Sequence, residues 1–325
     1  MMKVCIVGAG AIGGWMGARL ALAGHQLSVL ARGATLAAIE TNGLQLTDDG
    51  TTHSVRVKTS NTAAELETPD LLVIAVKGPG LRDAALAAVP LIGPNTMVLT
   101  AMNGVPWWFF ERADRPLFGT QLASIDPSGE IAASFPSANV IGCVVHAACS
   151  VEAPGIIRHK IGQRLIIGEP SGGISSRLAA LHDTLASAGF EPEASDDIQR
   201  DVWFKLWGNM TMNPVSAITG ATTDKILDDE LTREFCSNVM CEAQVIGDKI
   251  GIPIDQLPEA RHAVTRKLGA MKTSMLQDVE ANRAIELDAL VASVREIGQR
   301  VGVATPFTDA MLGLTRLMGR SRGLY

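Results

Sequence analysis

The sequence predicts an α/β fold: an N-terminal doubly wound domain followed by an all-α C-terminal domain. Three observations predict it. Short apolar runs alternate with stretches of helical periodicity through the first half of the chain. The first run, Val4 to Val7, passes directly into a glycine-rich turn, Gly8-Ala9-Gly10-Ala11-Ile12-Gly13. From Asp197 onward strand patterns disappear and only long helical periodicities remain. Alternating strands and helices build a parallel sheet covered on both faces. The change of pattern marks a domain boundary near Asp196, which divides the chain into residues 1–196 and 197–325.

Taken in order, a strand over 3–7 and a helix over 11–24 flank the glycine turn, and a second strand follows at 26–30. A helix over 34–42 precedes a short hairpin, 44–47 with 54–57. Strands at 70–76 and 95–100 bracket a helix at 80–89, and a strand is expected at 115–124. Strands at 140–146 and 164–168, with a segment at 156–160 that suggests antiparallel additions, lead to a helix at 174–188. A turn-rich stretch, Phe190 to Asp197, closes this half. Helices are then expected at 198–212, 229–250, 255–270, 284–301 and 306–319.

The glycine turn carries the first chemistry. G-x-G-x-x-G between a strand and a helix is the context of a dinucleotide-binding, Rossmann-type turn. Gly8 permits the tight turn, Gly10 lets backbone approach a pyrophosphate, and Gly13 lets helix and strand pack closely. Ala9, Ala11 and Ile12 complete the cradle, and the helix N-terminus offers N–H groups to phosphate. The bland alternative is a glycine turn with no ligand. The second strand ends Leu30-Ala31-Arg32, with a guanidinium where an NAD-binding chain carries an acid. Arginine suits a 2′-phosphate, so NADP(H) is the expected cofactor; the alternative is a surface arginine in a loop.

Composition excludes several classes. The 325-residue chain is 47% hydrophobic and 19% charged, with formal net charge −6. No Lys/Arg run offers a footprint for nucleic acid or an anionic membrane. Five scattered cysteines without C-x-x-C read as reduced residues of a cytoplasmic protein, and no metal-ligating cluster is expected. The N-terminus resembles a signal peptide, but Arg19 interrupts its apolar run and the glycine spacing explains it better. The uncharged stretch Ile131 to Val151 contains Pro136, Ser137, Asn139 and His146, so no spanning helix is expected there. The long apolar helices are either core or the face of a homodimer.

The first helix of the second half holds the most suggestive constellation. Lys205, Asn209 and Asn213 stand at i, i+4 and i+8 and form one stripe. Trp203, Phe204, Leu206, Trp207, Met210 and Met212 surround it with apolar surface. Buried polar groups need partners; the alternative is a solvated polar face. A lysine in a partly desolvated site can release a proton near neutral pH and stabilise a developing alkoxide, so Lys205 is the candidate general acid. Lys77 and Asn103 each follow an apolar strand, where ligands bind open α/β sheets. Their alternatives are a loop lysine and an Asn-Gly turn. Ser274 reads equally as a helix N-cap, and Glu286 as a solvated helix residue.

Together these stretches resemble the ketopantoate reductase (2-dehydropantoate 2-reductase) family over essentially the whole chain. The resemblance rests on GAGAIGG at 8–14, AVKGPG at 75–80, MNGV at 102–105, KLWGNMTMNP at 205–214, TSMLQD at 273–278 and IELDAL at 285–290. It implies NADPH-dependent reduction of a 2-oxo acid, with hydride transfer in the cleft between the halves. Lys205 matches the family's catalytic acid and Glu286 the carboxylate that helps hold the substrate. Asn209, Asn213 and Ser274 match positions that bind the substrate's hydroxyl and carboxylate, Lys77 and Asn103 match residues lining the cofactor and reactive carbon, and Arg32 matches the 2′-phosphate contact. Two stretches depart from the pattern. Thr222-Thr223-Asp224 stands where many relatives carry another polar contact, often asparagine, and Val105-Pro106-Trp107-Trp108-Phe109-Phe110 is unusually aromatic. The tryptophans either anchor a following helix in the core or reshape the pocket for another oxo acid. The alternatives to ketopantoate reduction are another 2-oxo or 3-oxo acid on the same scaffold, or a non-catalytic NADP sensor.

Overall fold

The computed structural model describes all 325 residues. Its strands are β1 (Lys3–Val7), β2 (Gln26–Leu30), β3 (Leu44–Asp48), β4 (Thr51–Val55), β5 (Lys58–Ser60), β6 (Leu71–Ile74), β7 (Met97–Ala101), β8 (Val140–Ala153), β9 (Ile156–Gly168) and β10 (Glu191–Ser195). They form a mixed sheet in the order β4-β3-β9-β8-β7-β6-β1-β2-β5, with β10 alongside β9. Neighbours from β5 through β8 run parallel. These central strands are buried on both faces, which is why Val4–Val7 of β1 and all of β6 read as unbroken apolar runs and β7 is interrupted only by the buried Thr100. From β1 the chain winds outward to β2 and β5, then returns to β6 on β1's other side. That reversal sets the carboxyl ends of β1 and β6 at the sheet's switch point. Helices α1 (Ala11–Leu22), α2 (Gly33–Asn42), α3 (Gly78–Ala88), α4 (Glu130–Ser134) and α5 (Ser176–Ser187) complete this part.

The remaining helices are α6 (Ile198–Thr219), α7 (Thr223–Asp228), α8 (Glu230–Lys249), α9 (Pro258–Arg266), α10 (Ser274–Glu280), α11 (Ser293–Arg300) and α12 (Pro306–Ser321), with a π-helical turn, Asp288–Ala292, leading into α11. None is long and apolar enough to cross a membrane.

The chain forms two compact units: 1–102 with 128–201, and 103–127 with 202–325. Residues 103–127 therefore belong with the helices although they connect β7 to β8, a grouping that no linear division at Asp196 contains. Trp108, Phe109 and Phe110 are buried, and the Phe109 ring lies 5.9 Å from that of Trp203 on α6. Glu296 of α11 accepts the backbone N–H groups of Ala123 (2.9 Å) and Ser124 (2.8 Å).

Several sequence expectations need correction. No strand forms over 115–124, where Leu117 (φ 65°) and Gly119 (φ 72°) turn the chain back. No helix follows Trp107-Trp108 either; Trp108 is a core anchor of an irregular loop. The expected turn-rich Phe190–Asp197 segment contains β10, an edge strand whose Pro192 and glutamates disguised it. Helix α6 does not stop before Pro214 but runs on to Thr219. The residue before a proline resists helical backbone, and here Asn213 is held by bonds to Ser274 and Met275.

Candidate active site

In the sheet-containing unit, the glycine turn follows β1. Gly8 has φ +92°, and an added Cβ would stand 2.5 Å from Val76 Cγ1 and 2.8 Å from the Ala75 carbonyl oxygen. On Gly13 it would collide with the Gly8 carbonyl and stand 2.9 Å from Ala75 Cβ. Those two glycines are demanded by the fold. Gly10 is different: a Cβ there meets nothing within 4 Å. Its side faces open space at the start of α1, where the N–H groups of Ala11, Ile12 and Gly13 lack intrahelical acceptors by position. Glycine at 10 is thus not required by protein packing, and fits a cradle whose space a ligand's pyrophosphate takes. Arg32, the residue before α2, is exposed and its guanidinium pairs with no carboxylate. Lys77 caps the backbone entry to α3 at the end of β6, and is exposed.

In the helical unit, the Lys205 ammonium donates to Asn103 Oδ1 at 2.8 Å, and both residues are half-buried. The Asn-Gly pair at 103–104 is more than a local turn. Gly104 has φ +81°, and an added Cβ would stand 2.5 Å from the Ala289 carbonyl carbon and 2.7 Å from Ala289 Cβ. Val105 N–H donates to the Ala289 oxygen at 2.8 Å. The π-helical turn explains how that oxygen is used. Ser293 N–H reaches back five residues to Asp288 instead of four to Ala289. The Ala289 carbonyl accepts from Val105 N–H and from Ser293 Oγ (2.9 Å). A helical irregularity therefore anchors the loop that carries Asn103.

Asn209 lies one turn beyond Lys205, half-buried, with a side-chain amide that bonds to nothing in the protein. Asn213 is 5% exposed and already engaged: its Oδ1 accepts from Ser274 Oγ (3.0 Å) and Met275 N–H (3.2 Å), and its Nδ2 donates to the Asn209 carbonyl (3.1 Å). Its role here is to fix Ser274 at the start of α10. The N-cap of α10 is Thr273, whose hydroxyl accepts from Leu276 N–H, so the capping alternative for Ser274 falls away. Thr223 is fully buried and donates to the Gly269 carbonyl at 2.8 Å, which makes it a structural residue.

Glu286 is half-buried between the fully buried Ile285 and Leu287, immediately before the π-helical turn. Its backbone is pinned from the far end of the chain. Ile285 N–H donates to the Leu324 carbonyl at 3.0 Å, and Tyr325 Oη donates to Asp288 Oδ1 at 2.6 Å. Sequence reasoning missed both anchors, Ala289 and Leu324-Tyr325. The Asn-Gly dipeptide was the one available signal, and it reads as an ordinary turn.

Comparison with known proteins agrees with this arrangement. The family model described as Ketopantoate reductase PanE/ApbA matches residues 4–172, and Ketopantoate reductase PanE/ApbA C terminal matches residues 197–319. A 2-dehydropantoate 2-reductase from Mesorhizobium japonicum is 45% identical over 325 residues, covering 100% of both chains. The crystal structure of a Ralstonia solanacearum MolK2 protein assigned to the ketopantoate reductases is 58% identical, covers 99% of each chain and superposes with a TM-score of 0.97. The 2-dehydropantoate 2-reductase structure from Methylococcus capsulatus is 28% identical, covers 98% of this chain and 97% of that one, and has a TM-score of 0.84. With full-length coverage on both sides and two matching family models in order, this chain belongs to the ketopantoate reductase family.

Proposed function

We propose that this chain reduces a 2-oxo acid to the 2-hydroxy acid with NADPH, and that the acid is 2-dehydropantoate, giving pantoate. The observation that carries the reading is the Lys205–Asn103 hydrogen bond of 2.8 Å, in a chain of this family. NADPH, when bound, supplies hydride to the carbonyl carbon. Lys205 donates a proton to the carbonyl oxygen as it becomes an alkoxide, which balances the hydride and yields the alcohol. An ammonium has three donors; Asn103 takes one and sets the direction of the group. The unbonded amide of Asn209 and the Ser274 hydroxyl orient the substrate, Asn213 holds Ser274 in place, and Glu286 helps hold the substrate.

For the cofactor, Gly8 to Gly13 cradle the pyrophosphate and Arg32 takes the 2′-phosphate. Lys77 joins them from the end of β6, and Asn103 keeps the cofactor-side role that the family resemblance implies. The cytoplasm is the proposed compartment, supported by five free cysteines. Exposed Leu314 and Leu317 on α12 support association of two copies, which light scattering tests.

NADPH oxidation by the purified chain over a panel of oxo acids tests the reading. 2-Dehydropantoate should give the highest kcat/KM. Lys205→Ala should lower kcat by about 10²–10⁴-fold with NADPH affinity kept, and Arg32→Ala should weaken NADPH far more than NADH. NADPH binding with no turnover on any oxo acid would instead identify a nucleotide sensor.

A further inference from the structure

The residues that follow α12 do more than end that helix. Gly323 takes the left-handed conformation (φ +67°), Leu324 N–H reaches back to the Gly319 carbonyl (2.8 Å) and Gly323 N–H to the Arg320 carbonyl (3.2 Å). This Schellman closure satisfies the last carbonyls of α12 and fixes the course of the tail. The tail then binds a second segment. The buried Leu324 gives its carbonyl to Ile285 N–H at 3.0 Å, and Tyr325 Oη donates to Asp288 Oδ1 at 2.6 Å. Hydrogen bonds to a carboxylate are about twice as strong as neutral ones. Arg320 Cζ lies 5.7 Å from the Tyr325 ring centroid and helps orient the ring. At Gly319 an added Cβ would stand 2.8 Å from Tyr325 Cβ and 3.1 Å from Ile285 Cδ1, so glycine there lets tail and segment close on α12 together.

The segment so held leads to the proton donor. Residues 283–286 belong to no helix or strand, so no regular ladder fixes them and their place is set by bonds to remote groups. Asp288 then opens the π-helical turn, whose Ala289 carbonyl accepts Val105 N–H at 2.8 Å and anchors the loop that carries Asn103. Asn103 Oδ1 accepts from the Lys205 ammonium at 2.8 Å. The Tyr325 phenol and the Lys205 ammonium are therefore joined by a continuous series of covalent and hydrogen bonds inside one compact unit. We propose that Tyr325 is a positioning residue for the reduction: its bond to Asp288 fixes the start of the π-helical turn, and through the Ala289 carbonyl it sets Asn103 and the direction of the Lys205 ammonium. The inference rests on the reading of Lys205 as proton donor to an oxo acid.

Continuity of bonds is not yet coupling, which a double-mutant cycle measures. The readout is the single-turnover rate of NADPH oxidation by saturating 2-dehydropantoate, taken well below the unfolding transition. Tyr325→Phe keeps the ring and removes the hydroxyl. It should lower that rate about tenfold and leave the Kd for NADPH and the KM for the acid within about twofold. Asp288→Ala should cause the same loss, and Asp288→Asn, which keeps an acceptor oxygen for the phenol, should retain most of the rate. Asn103→Ala is slow by itself, and adding Tyr325→Phe to it should cost less than about twofold more, because the phenol acts through Asn103. A merely structural role would lower the urea midpoint of Tyr325→Phe and leave the rate of the folded protein unchanged. A Tyr325→Phe rate within about twofold of wild type, or the same tenfold loss with and without Asn103, overturns the assignment. Wild-type failure to oxidise NADPH with any oxo acid brings down the reductase reading and this inference together, whereas an active wild type with an unaffected Tyr325→Phe brings down this inference alone.

Discussion

Gly104→Ala concentrates the structural reasoning into one perturbation. Position 104 has φ +81°, a left-handed conformation, and the new methyl would stand 2.5 Å from the Ala289 carbonyl carbon. Alanine in that backbone region costs about 1–2 kcal/mol. Relieving the collision pushes the loop off the π-helical turn and sacrifices the 2.8 Å bond from Val105 to Ala289, worth about 0.5–1.5 kcal/mol. The expected destabilisation is therefore about 2–3 kcal/mol, read as a lower urea midpoint at constant slope. The effect on turnover should be larger than stability alone explains. Asn103, next to Gly104, holds the Lys205 ammonium at 2.8 Å, and a shift of about 1 Å at a reacting group can cost about 10²-fold in rate. Steady-state kinetics well below the unfolding transition should show kcat falling with NADPH affinity kept. A variant that loses less than about 0.5 kcal/mol, the scale of an indifferent surface change, and turns over normally would show that the Ala289 anchor does not position Asn103.

Three further predictions follow from other parts of the molecule. Gly10→Ala should fold normally, because its Cβ meets nothing within 4 Å, yet bind NADPH poorly; Gly13→Ala should instead unfold readily, and equal stability losses for the two would contradict the cradle. Glu169 is buried, which raises its pKa, but hydrogen bonds from Arg177 and Ser175 outweigh burial and hold it below 4.5. Its contribution to stability is present above that value and is lost as pH falls through the lower folded pKa, so Glu169→Gln should be less stable at neutral pH and should flatten the acid limb of a stability–pH curve. Tyr325, the chain's one tyrosine, has its phenol pushed up to about 12 by burial and by Asp288; tyrosinate absorbance should appear near that pH in the folded protein and near 10.0 once unfolded, and one titration at the ordinary value in both states would refute the Asp288 contact.

Much was legible from local pattern. The glycine turn, the central strands and the stripe Lys205-Asn209-Asn213 follow from side-chain periodicity and from glycine's conformational freedom, which are properties of neighbours in the chain. The irregular loop 103–127 was not, because its order comes from contacts with Trp203, Glu296 and Ala289, remote in sequence. For the same reason an acidic segment interrupted by Pro192 concealed β10, an edge strand completed by β9. Asn213 shows the limit at a single residue: its position on the stripe was readable, but not that its amide already bonds to Ser274 and Met275.

By itself, then, the sequence determined that the chain begins with a nucleotide-type glycine turn, prefers arginine to an acid after the second strand, and sets a lysine among amides on an apolar helix. Only the tertiary structure decided which of these side chains are open to a ligand and which are already engaged, and it alone revealed the π-helical turn beneath Gly104. Hydrogen-bond satisfaction is a property of three-dimensional neighbours, and no spacing along the chain encodes it.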